Sequence, residues 1–125
     1  MSLDFSLIKE DNLYWTEHSQ EKMAFYNLSK SRVKRVLRHP QRVENGIVEG
    51  TLASMQKAGS KKHPYEIWVM YQIKSQNDKA KFKNQNPKIK PVIIISAWKY
   101  PGTTKPNEPI PIPEDILEEI LKNYH

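Results

Sequence analysis

The chain contains no cysteine, so it can hold no disulfide, no thiolate nucleophile and no cysteine-ligated zinc. No apolar run approaches the ~20 residues that a membrane-spanning helix needs. Glycine is scarce, with four in 125 residues, and ENGIVEG is no phosphate loop because it lacks a Gly-Lys-Ser/Thr ending. The four histidines show no H-x-x-x-H or similar spacing, so neither a metal nor another cofactor is expected. The opening residues, MSLDFSLIKEDN, are acidic where a secretory leader is basic, and a cytoplasmic location is the expectation.

Acid is also scarce where base is abundant. Residues 22–105 hold 18 of the 20 Lys and Arg but only Glu44, Glu49, Glu66 and Asp78, a balance of +14 within a whole-chain charge of +6. Residues 1–21 and 106–125 each sum to −4. A basic middle between acidic ends points to a polyanion, with phosphate the best match, although a lysine-rich solvated surface gives the same sum. The length suits one domain, residues 1–125, with a core over about 13–100 followed by a proline-rich connector and a C-terminal helix.

NLYWTEH reads as a short strand entering Thr16, a helix N-cap. A helix is predicted over about 17–26, with Met23 and Tyr26 inward. Ser29 caps a second helix, with Leu28 stapled onto Val33 and with Val33, Val36 and Leu37 at helical spacing. Pro40 ends it near Arg38 or His39. His39 is expected on the carbonyls of that helix end. The period then changes to two. A strand falls in about 50–57, and YEIWVMYQIKS places Ile67, Val69, Tyr71 and Ile73 opposite Trp68 and Met70, as in a strand covered on both sides. PVIIISAWKY opposes Ile94, Ser96 and Trp98 to Ile93, Ile95 and Ala97. The polar QNDKAKFKNQNPKIK between these strands is predicted to be a long, mobile hairpin loop. After TTKPNEPIPIP, helical spacing returns at Ile116, Leu117, Ile120 and Leu121. That stripe suits packing onto the chain's own sheet, or dimerisation. The fold class is α+β: an N-terminal strand and helical hairpin on a small antiparallel sheet of three or four strands, plus a C-terminal helix, with the helices in one layer.

The stretch TEHSQEKMAFYNLSKSRVKRVLRHP resembles the RelE/ParE toxin superfamily, on its BrnT-like side, with related small domains. The similarity lies in His18 opening the first helix, Lys22 with Met23, Leu28 with Ser29, and Val33, Val36, Leu37 and Pro40. It implies a toxin-type domain that cleaves RNA without a metal or binds it, partnered by a small acidic antitoxin protein. Lys22 stands where arginine is frequent, and arginine's fork has no lysine equivalent. The alternative is a non-catalytic member that binds nucleic acid or protein.

Metal-free RNA cleavage needs a base, an acid and cations on the phosphate. His18, at the strand-to-helix junction, is the first candidate. His63 follows in KKHPY, beside Lys61 and Lys62 and just before the central strand, as a second candidate base. Tyr100, in WKYPG, is the third and could stack or act as an acid. Arg32 and Arg35 are the leading phosphate contacts, extended by Arg38 and Arg42, with Lys22, Lys61, Lys62 and Lys99 beside them. Tyr71 and Trp98 read as core. The expected partners are RNA or another polyanion and no membrane, and the expected state is a monomer or weak homodimer.

Overall fold

The computed structural model describes residues 12–74 and 90–123. The predicted mobile loop over residues 76–90 lies, but for Lys90, outside the described residues. Eight elements follow one another: β1 Leu13–Trp15, α1 Glu17–Phe25, α2 Lys30–Arg38, β2 Arg42–Asn45, β3 Leu52–Gly59, β4 Pro64–Ile73, β5 Val92–Pro101 and α3 Glu114–Asn123. The strands form one five-stranded sheet in the order β1-β5-β4-β3-β2. β1 runs parallel to β5, while the other neighbours are antiparallel. The α+β class stands: β2 to β5 are the expected antiparallel sheet of four strands, and the expected N-terminal strand, β1, joins its edge through a parallel pairing with β5.

The helix boundaries follow from side chains that satisfy otherwise orphaned backbone groups. Thr16 Oγ1 accepts the Ser19 N–H at 3.0 Å and donates to the Ile94 carbonyl at 2.9 Å, so the α1 cap also ties the helix to β5. Asn27 closes the turn after α1 at φ 57, a left-handed conformation that asparagine tolerates better than most residues. Ser29 Oγ then accepts the Arg32 N–H at 3.0 Å and starts α2. Leu28 and Val33 are both buried, as a hydrophobic staple requires.

The sheet separates two cores. Met23, Leu28, Val33, Val36 and Leu37 of the hairpin pack on Ile67, Val69, Tyr71, Ile94 and Ala97. On the other face, Ile116 and Ile120 of α3 pack on Met55, Trp68, Met70, Ile95 and Trp98. Helices therefore form a layer on each face rather than a single layer, and the core runs on to Ile120. Burying each α3 isoleucine contributes roughly 1.5–3 kcal/mol. The Trp68 and Trp98 rings stack between adjacent strands, with centroids 6.4 Å apart.

In β4 the predicted alternation holds. In β5 it breaks, because Tyr71 pairs with Ile94 but Met70 pairs with Ser96, which leaves Ile95 as a bulge. Ile94 and Ala97 consequently share the hairpin face, and Ile95 and Trp98 share the α3 face. Among the described residues, no helix is long and apolar enough to cross a membrane.

Candidate functional site

The α1–α2 turn, the start of α2 and one end of the sheet enclose a groove of about 390 Å³. Its floor is apolar, formed by Met23, Leu28 and Ile67, and its rim carries Asn27, Arg32, Tyr65 and Lys99. Strand pairing builds this arrangement. Gln56 and Lys99 both sit beside Ile67 in register, on β3 and β5 respectively. Arg32 Nη1 donates to Gln56 Oε1 at 2.5 Å, while Gln56 Nε2 donates to the Arg35 and His39 carbonyls at 3.3 and 2.8 Å. Gln56 thus clamps α2 across the sheet and fixes where Arg32 sits. Lys99 Nζ lies 5.3 Å from the centroid of the Tyr65 ring, in a cation–π contact.

The groove's electrostatics are one-signed. No carboxylate is among its lining residues, and the partners just described for Arg32 and Lys99 are neutral. Burial, and then the neighbouring Arg35, lower the Arg32 pKa from the usual guanidinium value. Arginine stays charged through such a shift. The result is a partly desolvated cation beside a second cation, with no carboxylate among the described lining residues to offset either. Such a site favours an incoming anion, because the Coulomb term gains as water is excluded.

Of the predicted cations, Arg32 and Lys99 both line this groove. Arg35 is exposed one helical turn along, and Lys61, Lys62 and His63 are exposed in the turn that leads into Tyr65. Arg38 is exposed at the end of α2. Two other predicted contacts have internal partners. Lys22 Nζ lies 2.5 Å from Asp115 Oδ2 and 3.6 Å from Glu119 Oε1, and the Asp115 hydrogen bond raises its pKa. Arg42 Nε donates to Glu44 at 2.6 Å, Nη1 to Thr104 Oγ1 at 2.8 Å and Nη2 to the Glu108 carbonyl. Its guanidinium also lies 5.2 Å from the Trp68 ring centroid.

The structure does not bring His18, His63 and Tyr100 together. His18 Nε2 is 3.1 Å from Ser96 Oγ, and Nδ1 approaches Glu119 Oε2 to 2.5 Å without hydrogen-bond alignment. The order carboxylate, imidazole, hydroxyl matches a nucleophile array, but Ser96 is fully buried. The set joins α1, β5 and α3. Tyr100 packs against the α3-side core, next to Lys99 in sequence but on the other face of the sheet. His63 shares Tyr100's end of the sheet, where the Gly102 N–H bonds the Pro64 carbonyl at 2.8 Å.

Asn27, Gln56 and Tyr65 belong to the site and were not among the sequence candidates. Tyr65 was within reach, because it continues the Ile67, Val69, Tyr71 alternation by one step. Gln56 and Asn27 were not, since their roles depend on strand register and on a turn conformation. Among the described residues, no group of three or more His, Asp or Glu side chains could hold a metal ion. No protein-family model matches the chain, and no curated protein or solved structure matches it.

Proposed function

We propose that this chain binds single-stranded RNA on the face formed by α2 and the adjoining end of the sheet, as a non-catalytic module. The observation that carries this reading is the groove itself, which Arg32 and Lys99 both line with no carboxylate beside them in the lining. Arg35, one helical turn from Arg32, and Lys61 and Lys62, in the turn that leads into Tyr65, are exposed and would give further phosphates a cation. Binding rather than cleavage is favoured by the placing of His18 against Glu119 and the buried Ser96, away from the groove's lining. RNA rather than duplex DNA suits a narrow groove beside an aromatic ring, where an unpaired base can stack. The RelE/ParE resemblance of the hairpin points to the same polymer. An acidic protein of the antitoxin kind would compete for the same cations.

Fluorescence anisotropy with a labelled single-stranded RNA, repeated from low to physiological salt, tests the reading. Affinity should fall steeply with salt, because each neutralised phosphate releases counterions. Lys99→Ala and Arg32→Ala should each flatten the log–log salt slope by about one, while Lys105→Ala on the connector leaves it unchanged. Salt-insensitive binding, or equal loss from all three substitutions, would overturn it.

A further inference from the structure

The groove has more structure than a general polyanion surface requires. A phosphate chain needs only cations, yet this cavity has an apolar floor of Met23, Leu28 and Ile67 beneath its two cations. It also has an aromatic wall, Tyr65, whose ring is held by the Lys99 ammonium. Asn27, exposed in the tight turn between α1 and α2 with its backbone at φ 57, lines the cavity as well. An amide offers two donors and an acceptor, the complement of a base edge. At about 390 Å³, the cavity lies in the lower part of the ~300–1,000 Å³ range of small-molecule sites.

We infer that the groove is a single-nucleotide pocket that binds a nucleoside monophosphate unit, with the phosphate between Arg32 and Lys99, the base over the apolar floor against Tyr65, and Asn27 reading the base edge. This rests on the proposed RNA-binding reading and deepens it. The exposed cations outside the groove would hold flanking phosphates without regard to sequence, while the groove supplies the preference for one base.

The chemistry separates the contributions. Inorganic phosphate offers only the anion and a nucleoside only the base, so neither fills both halves of the cavity. A nucleoside 5′-monophosphate fills both and therefore binds more tightly than either fragment. Asn27 offers an unusually clean variant. At φ 57 glycine is at least as comfortable as asparagine, so Asn27→Gly removes the amide without straining the turn.

The test is a titration of the full chain, by amide chemical-shift perturbation, with the four nucleoside 5′-monophosphates, the four nucleosides and sodium phosphate. The same RNA anisotropy measurement is run in parallel. One monophosphate should saturate, with its nucleoside and phosphate each binding at least about tenfold more weakly. Lys99→Met should weaken that monophosphate about tenfold. Asn27→Gly should keep the thermal midpoint, weaken the preferred monophosphate and so reduce discrimination among the four bases. Salt-dependent RNA binding without saturable monophosphate binding overturns the pocket and leaves the RNA reading standing. Phosphate binding as tightly as every monophosphate also overturns it and reduces the groove to an anion site. Monophosphate binding without RNA binding sustains the pocket and removes the RNA reading instead.

Discussion

Glu66 is fully buried, yet each carboxylate oxygen has a donor. Trp68 Nε1 donates to Oε1 at 3.0 Å, the Thr104 N–H to Oε2 at 2.7 Å, and the Thr104 hydroxyl lies 2.9 and 3.0 Å from the two oxygens. Thr104 Oγ1 in turn accepts from Arg42, which brings a cation within one residue of the buried acid. Removing the carboxylate leaves the Trp68 and Thr104 N–H groups without acceptors, at about 1–3 kcal/mol each. Glu66→Ala should therefore lose about 2–6 kcal/mol in urea denaturation, and Glu66→Gln less, because its amide keeps one acceptor while setting a donor against a donor. A loss below about 1 kcal/mol for Glu66→Ala would show that the network contributes little. Tyr71 makes the opposite kind of prediction, from pH. Burial pushes its phenol from the ordinary 10.0 up to about 12, against the opposing effect of the Ser54 hydrogen bond. Between those values the folded chain keeps a proton that the unfolded chain releases, so stability falls as pH rises through that window. Tyr71→Phe should abolish that part of the alkaline loss in thermal melts taken from pH 9 upward. Neither role could be read in advance. Tyr71 was legible as core from its place in YEIWVMYQI, but Glu66 meets Thr104 across 38 residues of sequence, and no local pattern announces such a pairing.

α3 is held by two kinds of contact at once. Ile116 and Ile120 are buried on the sheet, while Asp115 and Glu119 reach α1 through Lys22 and His18. The physical chemistry ranks them. An Ile→Ala change in a packed layer costs about 2–5 kcal/mol, whereas a half-exposed ion pair contributes ~0–1 kcal/mol. Ile120→Ala should thus destabilise by several times as much as Asp115→Asn, measured side by side in denaturant. The Lys22 hydrogen bond lowers the Asp115 pKa below 3.8, so its small contribution is present above that pH and fades as pH falls through the folded value. Elements set by local chemistry were legible. Thr16, Ser29, the Leu28–Val33 staple and Pro40 announce two helices, and the structure has both. Elements set by partners were not. β2 is four residues long and shows no apolar alternation, the β1–β5 pairing joins distant segments in parallel, and one bulge at Ile95 exchanges the faces predicted for Ala97 and Trp98. The groove followed the same division. Its cations were visible in the sequence, but their place along one groove depends on Lys99 and Gln56 flanking Ile67, which is a matter of register.

At the scale of the whole molecule, the two cores share β4 and β5, and charge divides along the same line. The cations in contact with α3 and the connector, Lys22 and Arg42, are paired with carboxylates, while Arg32 and Lys99 on the hairpin side have neutral partners. The C-terminal segment therefore does more than cover a face. The Pro111 carbonyl accepts from Trp98 Nε1 at 2.9 Å, Thr104 satisfies Glu66, and the α3 isoleucines cover Trp68 and Trp98, so the far face of the strands that carry Tyr65, Ile67 and Lys99 depends on them. Ending the chain after Gly102 should expose two tryptophans, leave Glu66 without Thr104 and remove one of the two layers, a loss comparable to the ~5–15 kcal/mol that keeps a domain folded. We expect the shortened chain to lose its near-UV circular dichroism, to unfold without a cooperative transition and to bind RNA no better than a lysine-rich peptide of equal charge. Retention of a sharp thermal transition together with full, salt-dependent RNA affinity would show that the hairpin and sheet hold the groove without α3, and that the second layer serves something other than the site.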